Sequence, residues 1–176
     1  MGEQATCTLV LGGARSGKSR LAEGLALHTD LRRIYVATAQ AHDDDMRARI
    51  AAHRARRDAG WQTIEEPIAL AACLTANTSL DTIVLVDCLT LWLTNHLLAG
   101  HDLTAVCDEL TTALADLSGP VILVSNEVGQ GVVPVNAMAR RFVDHAGWLH
   151  QAIAARADAV AIVHAGLPHW LKGAPN

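Results

Sequence analysis

Short apolar runs of strand length alternate along this chain with longer stretches in which apolar residues recur every three or four positions. Five runs are rich in β-branched residues and lack the in-out alternation of a half-exposed strand: residues 6–11 (TCTLVL), 33–38 (RIYVAT), 82–87 (TIVLVD), 120–125 (PVILVS) and 157–164 (ADAVAIVH). Such runs are expected of strands buried on both faces of a parallel sheet. Helical spacing marks residues 18–27, 43–57, 68–76, 89–98, 103–117 and 136–156. Strand and helix in alternation predict right-handed crossovers and an α/β fold, a mainly parallel sheet covered by helices on both faces. Ligands of such sheets bind beyond the carboxyl ends of the strands. The polar punctuation falls there: GGARSG after the first run, TAQAHDDD after the second, DC after the third and NEVGQG after the fourth.

Composition narrows the picture without changing it. The 176 residues are 51% apolar but only 3% aromatic, so the core must be built from Ala, Leu, Val and Ile. No shift in composition divides the chain, and one domain over residues 1–176 is expected. A formal net charge of −4 provides no general attraction to nucleic acid or anionic membrane. No apolar run has the length of a membrane-spanning helix. The four cysteines (Cys7, Cys73, Cys88 and Cys107) form no CxxC pair, and no signal-peptide pattern precedes them. They are expected to be reduced thiols of a cytoplasmic protein, three of them in core positions. Residues 173–176 read as a loose tail.

The sharpest chemical signal is GGARSGKS, formed by Gly12, Gly13, Ala14, Arg15, Ser16, Gly17, Lys18 and Ser19. It matches G-x-x-x-x-G-K-[ST] and stands where that pattern must, after a strand and before a helix. Its glycines let the backbone aim several amide N–H groups at an anion, and the helix that follows adds the positive end of its dipole. Lys18 is placed to reach the β- and γ-phosphates of a nucleoside triphosphate, and the Ser19 hydroxyl to ligate Mg²⁺. Asp87 ends the run IVLVD, where P-loop proteins hold a second magnesium contact; an Asp there also serves as a turn or cap residue.

A second candidate centre lies in residues 43–57, which begin with Asp43, Asp44 and Asp45 and continue into Arg47, Arg49, His53, Arg54, Arg56 and Arg57. The acids suit a helix N-terminus. Helical spacing gathers Arg49, His53 and Arg56 or Arg57 on one face. Guanidinium groups around a histidine favour its neutral, nucleophilic form and would also hold a triphosphate. The alternative is a solvated basic face carrying an ordinary histidine. His42 is the rival nucleophile nearby. Most of His28, His96, His101, His145, His150, His164 and His169 read as surface or helix-end residues, without metal-ligand spacing.

Taken together, GGARSGKSRLAE (12–23), YVATAQAHDDDMRARIAAHRARR (35–57), W-x-T-x-E (61–65), VDCLTLWLTN (86–95) and VSNEVGQGVVPVNAMARRFVDHAG (124–147) resemble one family over almost the whole chain. It is the bifunctional adenosylcobinamide kinase and adenosylcobinamide-phosphate guanylyltransferase family of cobalamin biosynthesis. The resemblance implies a RecA-like P-loop fold, ATP, GTP and Mg²⁺ as cofactors, and a homo-oligomer, a trimer in similar proteins. It implies phosphorylation of adenosylcobinamide, then transfer of GMP from GTP to adenosylcobinamide phosphate. It places a covalent GMP-histidine on His53. By the same resemblance Ala37, Thr38 and Ala39 line the nucleotide pocket, Arg54, Ala55, Arg56 and Arg57 grip the guanine nucleotide, and Glu65 and Asp87 complete the guanosine and metal contacts. The SNEVGQG loop, with Glu127, should border the corrinoid or phosphate site. Asp87 stands where some relatives carry Glu, and Ala52 where some carry a second histidine. A single-function P-loop kinase and a nucleotide-switch protein are the competing classes.

Overall fold

A computed structural model describes residues 7–40, 44, 47, 48, 51 and 60–174. The expected strands form for the expected reason. Strands β1 (Cys7–Gly12), β4 (Thr82–Asp87) and β5 (Val121–Asn126) are buried along nearly their whole length, as apolar runs in the middle of a sheet must be. Together with β2 (Arg32–Ala37), β3 (Trp61–Glu65), β6 (Ala159–His164) and β7 (Leu167–Lys172) they make one seven-stranded sheet, ordered β3-β2-β4-β5-β1-β6-β7. Every neighbouring pair is parallel except β6 and β7, which form an antiparallel hairpin.

Among the described residues, helices cover both faces, unequally. On one face α1 (Lys18–Leu27) lays Ala22 and Ala26 over Val10, Tyr35, Leu85, Ile122 and Val124. The other face carries α2 (Leu70–Asn77), α3 (Leu89–Leu98), α4 (Leu103–Ala115) and α5 (Ala137–Arg156), whose Leu70, Leu74, Trp92, Leu93, Leu110, Leu149 and Ile153 build the larger core. Asp102 and Asn136 cap α4 and α5, each accepting from two backbone N–H groups of the first turn. The asparagine cap is why α5 begins one residue later than its apolar spacing suggests. Of the helix expected over residues 43–57, only positions 44, 47, 48 and 51 are described, and they are helical. Asp44 and Arg47 pair there on an exposed surface, a contact of small energetic value.

Two strands have no counterpart in the sequence-based expectation. β3, with only Trp61 and Ile64 half-buried, lies at one edge of the sheet, and β7 is exposed along most of the other edge. Neither contains the buried apolar run that marks an inner strand. The signal for β7 lay in its turn: Ala165 and Gly166, both at positive φ, join two extended segments as a hairpin requires. Pro168 is tolerated because β7 is an edge strand. At the end of β7 a side chain at Gly173 would collide with the Asp158 carbonyl. Among the described residues no helix is long and apolar enough to cross a membrane.

Candidate nucleotide site

The carboxyl ends of five neighbouring strands form one edge. In register, Glu65 lies beside Ala37, Ala37 beside Asp87, and Asn126 beside Gly12. Residues far apart in sequence (12, 37, 65, 87 and 126) are therefore set along one line by strand pairing alone.

At the β1 end of that line the backbone leaves the strand at Gly12, turns through Arg15 (φ 56°) and Gly17 (φ 100°), and enters α1 at Lys18. Ser16 N–H donates to the Gly13 carbonyl at 3.3 Å, closing the loop on itself. The Lys18 ammonium is folded against the same carbonyl at 3.1 Å, and its side chain is mostly buried. A side chain at Gly12 would strike the Ser16 hydroxyl and the Val163 carbonyl, and one at Gly17 would meet the Gly166 α-carbon at 3.0 Å. Gly12 is thus fixed by close packing, and Gly17 by packing and by its positive φ. The flank is closed by the β6–β7 turn, where Gly166 N–H donates to the Ser16 carbonyl at 2.7 Å. Among the described residues the buried Ser16 hydroxyl has no hydrogen-bond partner.

On the other side of β5, strand alternation turns Asp87 toward the face covered by α1, and α1 packs over β5 and β4. The Tyr35 hydroxyl donates to Asp87 Oδ2 at 2.5 Å. A hydroxyl on the first turn of α1 (Ser19) and a carboxylate at the tip of β4 are both hard oxygen donors, which suits Mg²⁺ rather than a soft metal.

Thr38 departs from a pocket-lining role as far as its side chain is concerned. It is fully buried, and its hydroxyl donates to the Cys88 carbonyl at 2.8 Å while accepting from Cys88 N–H at 2.9 Å. Its own carbonyl accepts from Asn95 Nδ2 at 2.8 Å. Asn126 Nδ2 donates to the Thr90 hydroxyl at 3.0 Å, tying the β5 tip to the start of α3. Half-buried Ala37 and Ala39 flank Thr38 at the same edge.

The loop after β5 is anchored twice. Glu127 N–H donates to the Gly12 carbonyl at 3.0 Å, and the Glu127 carboxylate accepts from Gly129 N–H at 2.7 Å. Beneath it, buried His150 on α5 meets the Ser125 hydroxyl through Nε2 at 2.7 Å. Burial lowers the His150 pKa, and the charge of Glu127 acts in the opposite direction. His96 is buried too, bonded to the Ile68 carbonyl at 3.1 Å and to His101 Nδ1 at 2.8 Å. These two histidines depart from the surface positions expected for most of the set. The cysteines divide two and two: Cys7 and Cys88 are buried, whereas Cys73 and Cys107 pack half-exposed against the core, all as free thiols. His42, Asp43, Asp45, Arg49, His53, Arg54, Ala55, Arg56 and Arg57 lie outside the described residues.

Comparison with known proteins agrees with this geometry. The sequence pattern of the family described as cobinamide kinase / cobinamide phosphate guanyltransferase matches residues 8–171. The chain is 57% identical over 169 residues to the bifunctional adenosylcobalamin biosynthesis protein CobP of Pseudomonas aeruginosa, covering 95% of this chain and 98% of that one. It is 41% identical over 179 residues to the bifunctional adenosylcobalamin biosynthesis protein CobU of Salmonella typhimurium, covering 93% and 98%. Among solved structures, a protein of Pyrococcus horikoshii OT3 superposes with a TM-score of 0.52 at 12% identity, over 97% of this chain and 88% of that one. An ATPase from the type III secretion system of pathogenic bacteria gives 0.52 at 11% identity, over 94% and 56%. At such identities the likeness concerns the fold alone, which is α/β and RecA-like.

Proposed function

The chain belongs to the cobinamide kinase / cobinamide phosphate guanyltransferase family, and we propose that both of the family's reactions are served from the sheet edge formed by β1, β2, β3, β4 and β5. It is a nucleotide-using transferase of cobalamin biosynthesis, a cobinamide kinase and a cobinamide-phosphate guanylyltransferase. The observation that carries the assignment of the edge is the phosphate loop, with Lys18 at its mouth and Asp87 two strands away.

In the kinase step the backbone N–H groups of residues 13–19 would hold the triphosphate, and Lys18 would leave the Gly13 carbonyl for the β- and γ-phosphates. The hydroxyl oxygen of the cobinamide side arm bonds to the γ-phosphorus and its proton passes to solvent, as the bond to the β,γ-bridging oxygen breaks and the nucleoside diphosphate leaves. ATP or GTP supplies the phosphoryl group. Ser19 and Asp87 would hold Mg²⁺, which when bound offsets charge on the phosphate oxygens.

In the guanylyl step a ring nitrogen of His53 attacks the α-phosphorus of GTP and pyrophosphate leaves with the electrons of the broken P–O bond. A phosphate oxygen of cobinamide phosphate then displaces the imidazole, giving GDP-cobinamide and free His53. The support is the position of His53 within RIAAHRARR, among Arg54, Arg56 and Arg57, in the stretch that resembles the family. Splitting one displacement into two lowers each barrier. Ala37, Ala39 and Glu65 would border the guanosine, with Glu65 offering a carboxylate to the donors of a guanine edge. Family resemblance also supports a homo-oligomer, a trimer.

The test is incubation with GTP labelled at the α-phosphate. Acid-labile, alkali-stable label on wild-type protein, absent from His53→Asn, is the expected result, with kinase activity largely retained in the variant. Guanylyl transfer that survives His53→Asn would remove the histidine from the mechanism.

A further inference from the structure

Tyr35 is the only tyrosine of the chain. Its ring lies in the core beneath α1, edge-to-face with Trp61 at 5.9 Å and 86°. From there its hydroxyl reaches diagonally across the β2–β4 pair to Asp87 Oδ2 at 2.5 Å. A buried phenol needs a partner for its O–H, and a backbone carbonyl or a water would serve. Here the partner is a carboxylate at the strand tip, the one Asp that faces the phosphate-loop helix from β4. Hydrogen bonds to an ionised acceptor are roughly twice as strong as neutral ones and fix orientation as well.

Resting on the reading of Asp87 as a magnesium-holding residue, we propose that Tyr35 is a positioning residue that orients the Asp87 carboxylate toward the metal–triphosphate complex. It acts from below: the phenol is held between Trp61 and the α1 face, and its hydroxyl restrains one carboxylate oxygen. Outer-sphere partners of metal ligands typically change metal affinity by about 10- to 100-fold when removed. Phenylalanine fills the same space and keeps the contact with Trp61, so Tyr35→Phe removes only the hydroxyl.

The experiment compares wild type, Tyr35→Phe and Asp87→Asn. Binding of Mn²⁺ to protein loaded with guanosine 5′-(β,γ-imido)triphosphate is followed by electron paramagnetic resonance. The expected result is Mn²⁺ affinity weakened by about tenfold in Tyr35→Phe and further in Asp87→Asn. At saturating Mg²⁺ the nucleotide enters as its metal complex, so by linkage the KM for nucleotide in the kinase reaction rises by a similar factor in Tyr35→Phe. Wild-type Mn²⁺ affinity in Tyr35→Phe, with affinity lost in Asp87→Asn, would reduce Tyr35 to a core residue. Wild-type affinity in Asp87→Asn would instead overturn the Asp87 reading. Because the tyrosine is unique, growth on 3-fluorotyrosine gives a single ¹⁹F resonance that needs no mutation. That resonance is expected to shift when Mg²⁺ joins the protein–nucleotide complex in wild type but not in Asp87→Asn. A resonance that stays fixed while Mn²⁺ binds tightly would also overturn the proposal.

Discussion

Replacing Thr38 by Val keeps nearly the same volume and branching and removes one hydroxyl. That hydroxyl makes two hydrogen bonds to Cys88, one donated and one accepted, in a site that is 0% exposed. The two losses are unequal. The Cys88 carbonyl keeps a second donor, Trp92 N–H at 3.1 Å, whereas Cys88 N–H is left without the hydroxyl that accepts from it. An orphaned buried donor costs about 1–3 kcal/mol and the second bond about 1 kcal/mol net, so Thr38→Val should destabilise by roughly 2–4 kcal/mol. For a domain of this size that lowers the melting temperature by roughly 5–15 °C. Thr38→Ser keeps the hydroxyl and loses one methyl group, about 1 kcal/mol. Urea unfolding followed by tryptophan fluorescence measures all three proteins. A Val variant within about 0.5 kcal/mol of wild type, or a Ser variant less stable than Val, would refute the reasoning, because no orphaned donor would then exist.

Two further outcomes follow from the same geometry. Gly17→Ala must place a side chain at φ 100° and against the Gly166 α-carbon, so guanine-nucleotide affinity measured by calorimetry should fall by about tenfold or more; Gly13→Ala, with open space around its β-position, should leave the melting temperature unchanged. Burial holds the pKa values of His96 and His150 below the ordinary 6.5. The unfolded chain then takes up protons that the native state resists, so stability is full above pH 6.5 and declines as pH falls through and below it. Urea midpoints at pH 7.5 and 5.5 should show that loss, and His150→Gln should shrink it.

The inner strands were legible because burial on both faces leaves a run of apolar residues that nothing else in a domain this size requires. β3 and β7 were not, because an edge strand may be polar on most of its positions and still complete its ladder on one side. The phosphate loop was legible because its geometry depends on residues adjacent in sequence. Pairing of Tyr35 with Asp87 depends instead on β2 lying beside β4 rather than beside β1, an adjacency that the chain order conceals. Thr38 shows the converse: its motif suggested a pocket position, yet its hydroxyl is consumed by Cys88. His150 had no motif at all, and only the fold brings it under Ser125.

The phosphate loop has an odd position in time. β1 is made first but sits between β5 and β6, so neither of its neighbours exists until residues 121–126 and 159–164 have been synthesised. The loop's last anchor, Gly166 against Ser16, comes 150 positions after it. Sheets with such distant pairings close late. A partly made chain leaving the ribosome therefore carries the full GGARSGKS sequence without a rigid frame to display it. Triphosphate, abundant in any growing cell, gains a firm seat only when nearly all of the domain is present, and it can then favour the finished fold over incomplete ones.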